Sequence, residues 1–458
     1  MGVAGIALTS RVGKVFAAEK ASGTAPLNKW PGRVVINFNK AGVTSSGVAD
    51  ATVIKKMVDD AILLLTGETT LAAAWQSIFP TSLTATSKIA IKIPVGFNDG
   101  LPAPHWASVK AITDGLQQMT LNGTNFPVAN ITIYDMAGTG TFAHAGYTAA
   151  NFPDISILKD TAIDGGDGAL SNRTYAQTLK NADFLINVFS PRGHSIGSSY
   201  SIGFKCHYGT YSDPAGMHTD APQNLRDINC EGPVYNKNVL SVCSGIYGMN
   251  EGHGPEGSAD IYTTYAQSID ITSTNQCPTT IIMSTDPVSA EMQTIKMMRI
   301  NKSETYATTD MPDYLKASGG VMVSGWLPIN TIGIIDESAM DIRKIINGVS
   351  MSVLNPGSNA MSVSGTGIAA HHIKGHNTTF IEFILPDENI GKDACVEIYS
   401  SKGALVRKFS RKVLGVRTHF SWDEMNERGG TGPVSKGTYI VHLICGEKLA
   451  SAPFTIVR

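Results

Sequence analysis

Apolar residues recur at two spacings along this chain, and the change from one to the other divides it. Val34-Val35-Ile36-Asn37-Phe38 is a short apolar run that predicts a strand. Residues 53–65 follow with Ile54, Met57, Ala61 and Leu64 on one helical face. Lys88-Ile89-Ala90-Ile91-Lys92-Ile93 alternates strictly and stops at Pro94. Pro104 suits the first turn of a helix whose stripe is Trp106, Val109, Ile112, Leu116 and Met119. Residues 131–135, 183–188, 239–242 and 280–283 read as further strands, the last leading into a helix over 287–298. Strand and helix in repetition predict an α/β domain over residues 28–349, its mostly parallel sheet covered by helices on both faces.

Beyond Val349 the helical period disappears. Residues 350–370 are rich in Ser, Gly and Asn, with Asn355-Pro356-Gly357-Ser358 as a turn, and read as a linker. Residues 379–385, 395–399, 404–409, 418–422 and 439–445 read as short strands between turns. They predict a small antiparallel β-sandwich over 371–458. At the other end, residues 2–9 are apolar and Val15-Phe16-Ala17-Ala18 is like a small-residue cleavage site. Residues 1–27 therefore read as a signal-like or extended segment, and the expected location is periplasmic or extracellular. No segment is apolar over enough length to predict a transmembrane span.

Composition narrows the classes. A chain of 458 residues exceeds what one core supports, in keeping with the division above. The formal net charge of −2, with no run of Lys and Arg, argues against a nucleic-acid partner. Six cysteines are widely spread with no C-x-x-C, which removes support for a zinc ribbon or a cysteine-held iron–sulfur cluster. Cys395 and Cys445 can pair if their strands are neighbours; buried free thiols are the alternative.

Candidate chemistry collects in four places. After the strand ending at Val188, a loop carries Arg192, His194, Lys205, His207 and His218 between glycines. Its imidazoles are candidate ligands for a divalent metal, and Arg192 or Lys205 can balance a small anionic ligand. Gly138-Thr139-Gly140-Thr141-Phe142-Ala143 follows the 131–135 strand; it reads as a glycine-rich turn, with His144 beside it as a further candidate ligand. Glu251-Gly252-His253-Gly254-Pro255 can turn backbone N–H groups toward an anion, making Gly252, His253 and Gly254 candidate cofactor-binding residues. Asp286-Pro287 fits a helix N-cap followed by proline at the first helical position.

Taken in order, these pieces resemble the family called domain of unknown function 362 over about residues 33–320. The matching stretches are Ile91-Lys92-Ile93-Pro94, the helix after Pro104, and Ala182-Asp183-Phe184-Leu185-Ile186-Asn187-Val188 with His194 and Lys205 downstream. Gly245-Ile246-Tyr247-Gly248-Met249, running into Gly252-His253-Gly254-Pro255, and Asp286-Pro287-Val288-Ser289-Ala290 complete the set. Pro94 is followed by Val95 rather than the family's usual asparagine, and the cysteine-rich ferredoxin segment of some relatives is absent. The order His144, His194, Lys205, His218 is also similar to that of nickel-pincer lactate racemases. That similarity implies a nickel–nucleotide cofactor and proton exchange at a substrate α-carbon.

The carboxyl-terminal domain resembles the immunoglobulin-like module of flagellar hook-capping proteins. Val396-Glu397-Ile398-Tyr399-Ser400-Ser401-Lys402-Gly403, Phe420-Ser421-Trp422-Asp423 and Gly437-Thr438-Tyr439-Ile440-Val441 carry the resemblance, with Trp422 as core plug. It implies export and attachment to a cell envelope or extracellular assembly. Two functions fit: an exported metal- or cofactor-binding α/β protein acting on a small anionic ligand, with Lys205 and His194 as catalytic candidates, or a self-assembling homo-oligomeric structural or adhesive subunit without catalysis. The first expects His144, His194, Lys205, His207 and His218 to converge.

Overall fold

A computed structural model describes residues 26–95, 103–136, 141–160, 162–164, 174–194, 200–211, 216–249, 262, 265, 277–351, 367–372, 378–425, 433–446 and 448–457. Nine strands make its main sheet: β1 (Arg33–Phe38), β2 (Ile89–Lys92), β3 (Ile131–Asp135), β4 (Ser156–Lys159), β5 (Phe184–Phe189), β6 (Asn238–Gly245), β7 (Thr280–Ser284), β8 (Asp341–Ile346) and β9 (Val349–Met351). Their order is β9-β8-β1-β7-β6-β5-β2-β3-β4. Only β7, between β1 and β6, and the edge strand β9 run against the rest. The sheet is mostly parallel, as the alternation predicted.

Adjacent residues within a strand enter two different cores. Val34 and Leu185 join one cluster, while Val35 and Ile186 join the other. The second is closed by α1 (Ala51–Thr66), α2 (Leu71–Ser77) and α3 (Trp106–Gln118), through Ile54, Trp75 and Ile112. After the one-turn helix α4 (Thr141–His144), the helices facing the first cluster include α5 (Gly203–Cys206), α6 (Ala221–Cys230), α7 (Pro287–Lys302) and α8 (Asp313–Ser318).

Helix ends follow local chemistry. The Asp50 side chain accepts from the amides of Thr52 and Val53, and Gly67 closes α1 at φ 80°. Asp286 caps α7, accepting from Ser289 N at 2.9 Å, and its other oxygen accepts from Gly32 N and Ile334 N. Pro104 lies just outside α3 rather than in its first turn: His105 is the N-cap, with Nδ1 accepting from Ala107 N at 3.2 Å. Burial pushes the His105 imidazole down to about 4, which keeps that nitrogen an acceptor at neutral pH.

Both ends of the Ser/Gly/Asn-rich stretch are strands, β9 and β10 (Gly367–His372). Then come β11 (Thr379–Ile384), β12 (Asp393–Ser400), β13 (Leu405–Lys412), β14 (Arg417–Trp422), β15 (Gly437–Cys445) and β16 (Lys448–Ile456). They form a three-stranded antiparallel sheet, β10-β11-β14, and a four-stranded one, β13-β12-β15-β16. One core, with Trp422 fully buried against Tyr439 and Phe454, draws on both sheets. Cys395 and Cys445 are free thiols. Register explains this: Cys395 sits opposite Ile444, so Cys445 turns to the other face and into the core.

This β-rich part packs on the α/β part through buried charge. Lys296 of α7 donates to Glu337 Oε1 at 2.7 Å and to the carbonyl of Arg417 at 2.6 Å. Lys344 of β8 pairs with Glu382 Oε1 at 2.5 Å, and Arg417 reaches Glu382 Oε2 at 3.2 Å. Lys296, Lys344, Phe380 and His419 also line a small cavity there. No helix among the described residues is long and apolar enough to cross a membrane.

Candidate functional site

Chain connectivity reverses between β2 and β5: β2, β3 and β4 step one way across the sheet, β5 and β6 the other. Carboxyl ends flanking such a reversal leave the crevice where open α/β sheets bind ligands. Register puts Lys92 beside Tyr134 on one side and Asn187 on the other. Lys92 is fully buried; its Nζ pairs with Asp135 Oδ1 at 3.0 Å and donates to the Ile93 carbonyl at 3.1 Å. The other Asp135 oxygen accepts from Val95 N at 3.0 Å.

A short turn seals this pair. Helix α5 runs into a 3-10 turn, His207–Thr210, and the Gly209 carbonyl accepts from Met136 N at 2.9 Å. A Cβ on Gly209 would lie 2.2 Å from Asp135 Oδ1, so only glycine lets the turn seat on the ion pair. The start of α5 is held from two sides. Asn187 Nδ2 donates to the Gly203 carbonyl at 2.9 Å, and Phe204 N donates to Glu291 Oε2 at 3.0 Å. Tyr314 donates to the other Glu291 oxygen at 2.8 Å. Burial outweighs those donors and pushes the Glu291 carboxyl up to about 8.

Lys205 and Arg192 bring positive charge to this edge. Backbone bonds fix the strand exit on which Arg192 sits: Gly193 N to the Met249 carbonyl, Met249 N to the Pro191 carbonyl, and Ser201 N to the Arg192 carbonyl. Both side chains are buried, and among the described residues neither Arg192 Nε nor Lys205 Nζ has a hydrogen-bond partner. Burial, with the positive charge of Arg192 added, brings the Lys205 amine down to about 7. Arg192 keeps its charge, since a guanidinium does not deprotonate in proteins.

The histidines separate. His194 and His218 stack with ring centres 5.4 Å apart; Tyr208 meets His218 edge-on at 5.1 Å, and Lys205 Nζ lies 5.6 Å from the Tyr208 ring centre. His207 belongs to the Lys92 group instead, with Nδ1 3.4 Å from Thr210 Oγ1. Burial and the charge of Lys92 push its imidazole down to about 3, so it is neutral at physiological pH. His144 is exposed on α4. Of these candidate ligands, His194 and His218 are brought together, while His207 packs with the Lys92 group. Among the described residues no three or more His, Cys, Asp or Glu are placed to hold a metal ion. Among the described residues this donor set does not make up a metal centre or a seat for the implied nickel cofactor. Gly252, His253 and Gly254 lie outside the described residues.

Residues 89–296 match the family model described as Domain of unknown function (DUF362). That match starts at β2 and ends at Lys296 in α7, so it contains Lys92, Asp135, Arg192, Lys205 and Glu291. No curated protein matches the chain. Solved structures give local likenesses. Dimeric latent PorU from Porphyromonas gingivalis is 15% identical over 24% of this chain and 10% of its own, with TM-score 0.17. FLGD from P. aeruginosa is 20% identical over 19% of this chain and 69% of its own, with TM-score 0.15. CHIR-AB1 is 19% identical over 21% of this chain and 98% of its own, with TM-score 0.15.

Proposed function

We propose that the carboxyl edge around the β2/β5 reversal binds a small anionic ligand, with Arg192 as its fixed charge partner and Lys205 as the group that exchanges a proton with it. One observation carries this reading: two buried cationic side chains stand near each other at the reversal, and Lys205 Nζ lacks an acceptor among the described residues. A buried charge without a partner is costly, and an incoming carboxylate or phosphate offsets that cost with charge-assisted hydrogen bonds. The stacked His194–His218 pair beside Tyr208 adds acid–base groups to the same edge.

The chain is further proposed to be exported, its β-rich domain serving for attachment. The apolar residues 2–9, Val15-Phe16-Ala17-Ala18, and the stretches 396–403 and 420–423 support that part. Isothermal titration of the full chain with acetate, oxalate and phosphate tests the site. Saturable binding that is lost in Arg192→Gln and weakened in Lys205→Met is expected. Binding indifferent to both substitutions would sink the proposal.

A further inference from the structure

We propose that Lys205 is a covalent attachment point: its amine condenses with a small carbonyl compound carrying a carboxylate or phosphate, which Arg192 holds. The inference rests on the anion-site reading above and names the ligand class of that site.

Comparison among the buried lysines carries it. Four described lysines are buried: Lys92, Lys205, Lys296 and Lys344. Lys92 pairs with Asp135, Lys296 with Glu337 and Lys344 with Glu382. Lys205 has no carboxylate and no hydrogen-bond acceptor among the described residues, and the face of Tyr208 is what its Nζ meets. An ammonium carries three donors that must be satisfied, whereas a neutral amine buried against a ring leaves fewer unmet and exposes a lone pair. The neighbouring guanidinium pushes in the same direction, and the amine titrates near 7. Burial next to a second cation is a recognised way to make a lysine nucleophilic at neutral pH.

Position is fixed as well. The helical turn bearing Lys205 is pinned on one flank by Asn187 and on the other by Glu291. A nucleophile on a rigid turn beside a fixed guanidinium suits a ligand with an anion at one end and an electrophilic carbon near it. The amine lone pair forms a C–N bond to the carbonyl carbon, giving a carbinolamine. Both amine hydrogens and the former carbonyl oxygen then leave as one water, which gives the imine. No oxidant or reductant is needed.

The test uses the full chain at pH 7, incubated separately with pyruvate and with dihydroxyacetone phosphate, then reduced with borohydride and mapped by peptide mass. Labelling of Lys205 by at least one compound, on the order of 100-fold or more above exposed lysines, is expected from its larger neutral fraction. Pyruvate alone assigns a 2-oxo acid; the phosphorylated ketone alone assigns a phosphate-bearing carbonyl. Lys205→Met should abolish the adduct while retaining the far-UV spectrum, with acetate or phosphate binding weakened but still saturable through Arg192. Anion binding with no adduct on Lys205 would overturn the covalent role and leave the anion site standing. Labelling spread over exposed lysines, unchanged in Lys205→Met, would overturn it too. Absence of both anion binding and adduct would overturn both readings.

Discussion

Lys205 is expensive to fold around. Its amine falls from about 10.5 when exposed to about 7 here, so between those values the unfolded chain binds the extra proton. The associated stability is complete above about pH 10.5 and is lost as pH falls through about 7. Lys205→Met should therefore raise the melting temperature at pH 7, by roughly 2–5 °C, with the gain shrinking as pH approaches 10.5. Thermal melts at both pH values check this; a lower melting temperature at pH 7 would show that the amine has a partner after all. Gly209 is the opposite case. Gly209→Ala forces a methyl into the Asp135 carboxylate and should cost about 2–4 kcal/mol by urea unfolding, since it prises open a buried ion pair. Lys205 was legible in the sequence as a polar residue in a glycine-flanked loop. Lys92 and Asp135 were not. In an alternating strand a lysine reads as a solvent-face residue, and only the pairing of β2 with β3 brings Lys92 to the carboxylate of Asp135.

Elements with one clean apolar stripe or an unbroken apolar run were readable; elements that carry polar or charged residues into the interior were not. Helices α1 and α3 and strands β1 to β3 fall close to where periodicity put them. Helix α6 is short and mostly polar, with Arg226, Asp227 and Asn229 buried beside Leu225 and Ile228, so too few apolar positions announce it as a core helix. Strand β8 mixes Arg343 and Lys344 with apolar residues, which hides it from a local apolar pattern. Lys344 is there for the contact with the β-rich domain, a reason no local pattern contains. Burial alone would raise the Glu382 carboxyl, but Lys344 and Arg417 reverse that and hold it at about 2, below its ordinary 4.5. This stability is present above about pH 4.5 and lost as pH falls through about 2. Glu382→Gln should flatten the pH dependence of the melting temperature across that window. At pH 7 it should cost roughly 3–5 kcal/mol, because two cations lose their shared partner.

At the scale of the whole molecule, the two parts share buried ionic contacts, and Phe380 of β11 even joins the core of the α/β part. Calorimetry of the full chain should give one cooperative transition, resolving into two when Glu382→Ala unlocks the contact; two transitions already in the unsubstituted protein would contradict the shared interior. Helix α7 carries this further. Glu291 grips the turn that bears Lys205, and Lys296, five residues on and about 7.5 Å along the axis, grips the backbone of Arg417. One rod thus has the reactive amine at one fastening and the β-rich domain at the next. Tension applied to that domain would reach Lys205 through a single stiff helix, without passing through a hinge.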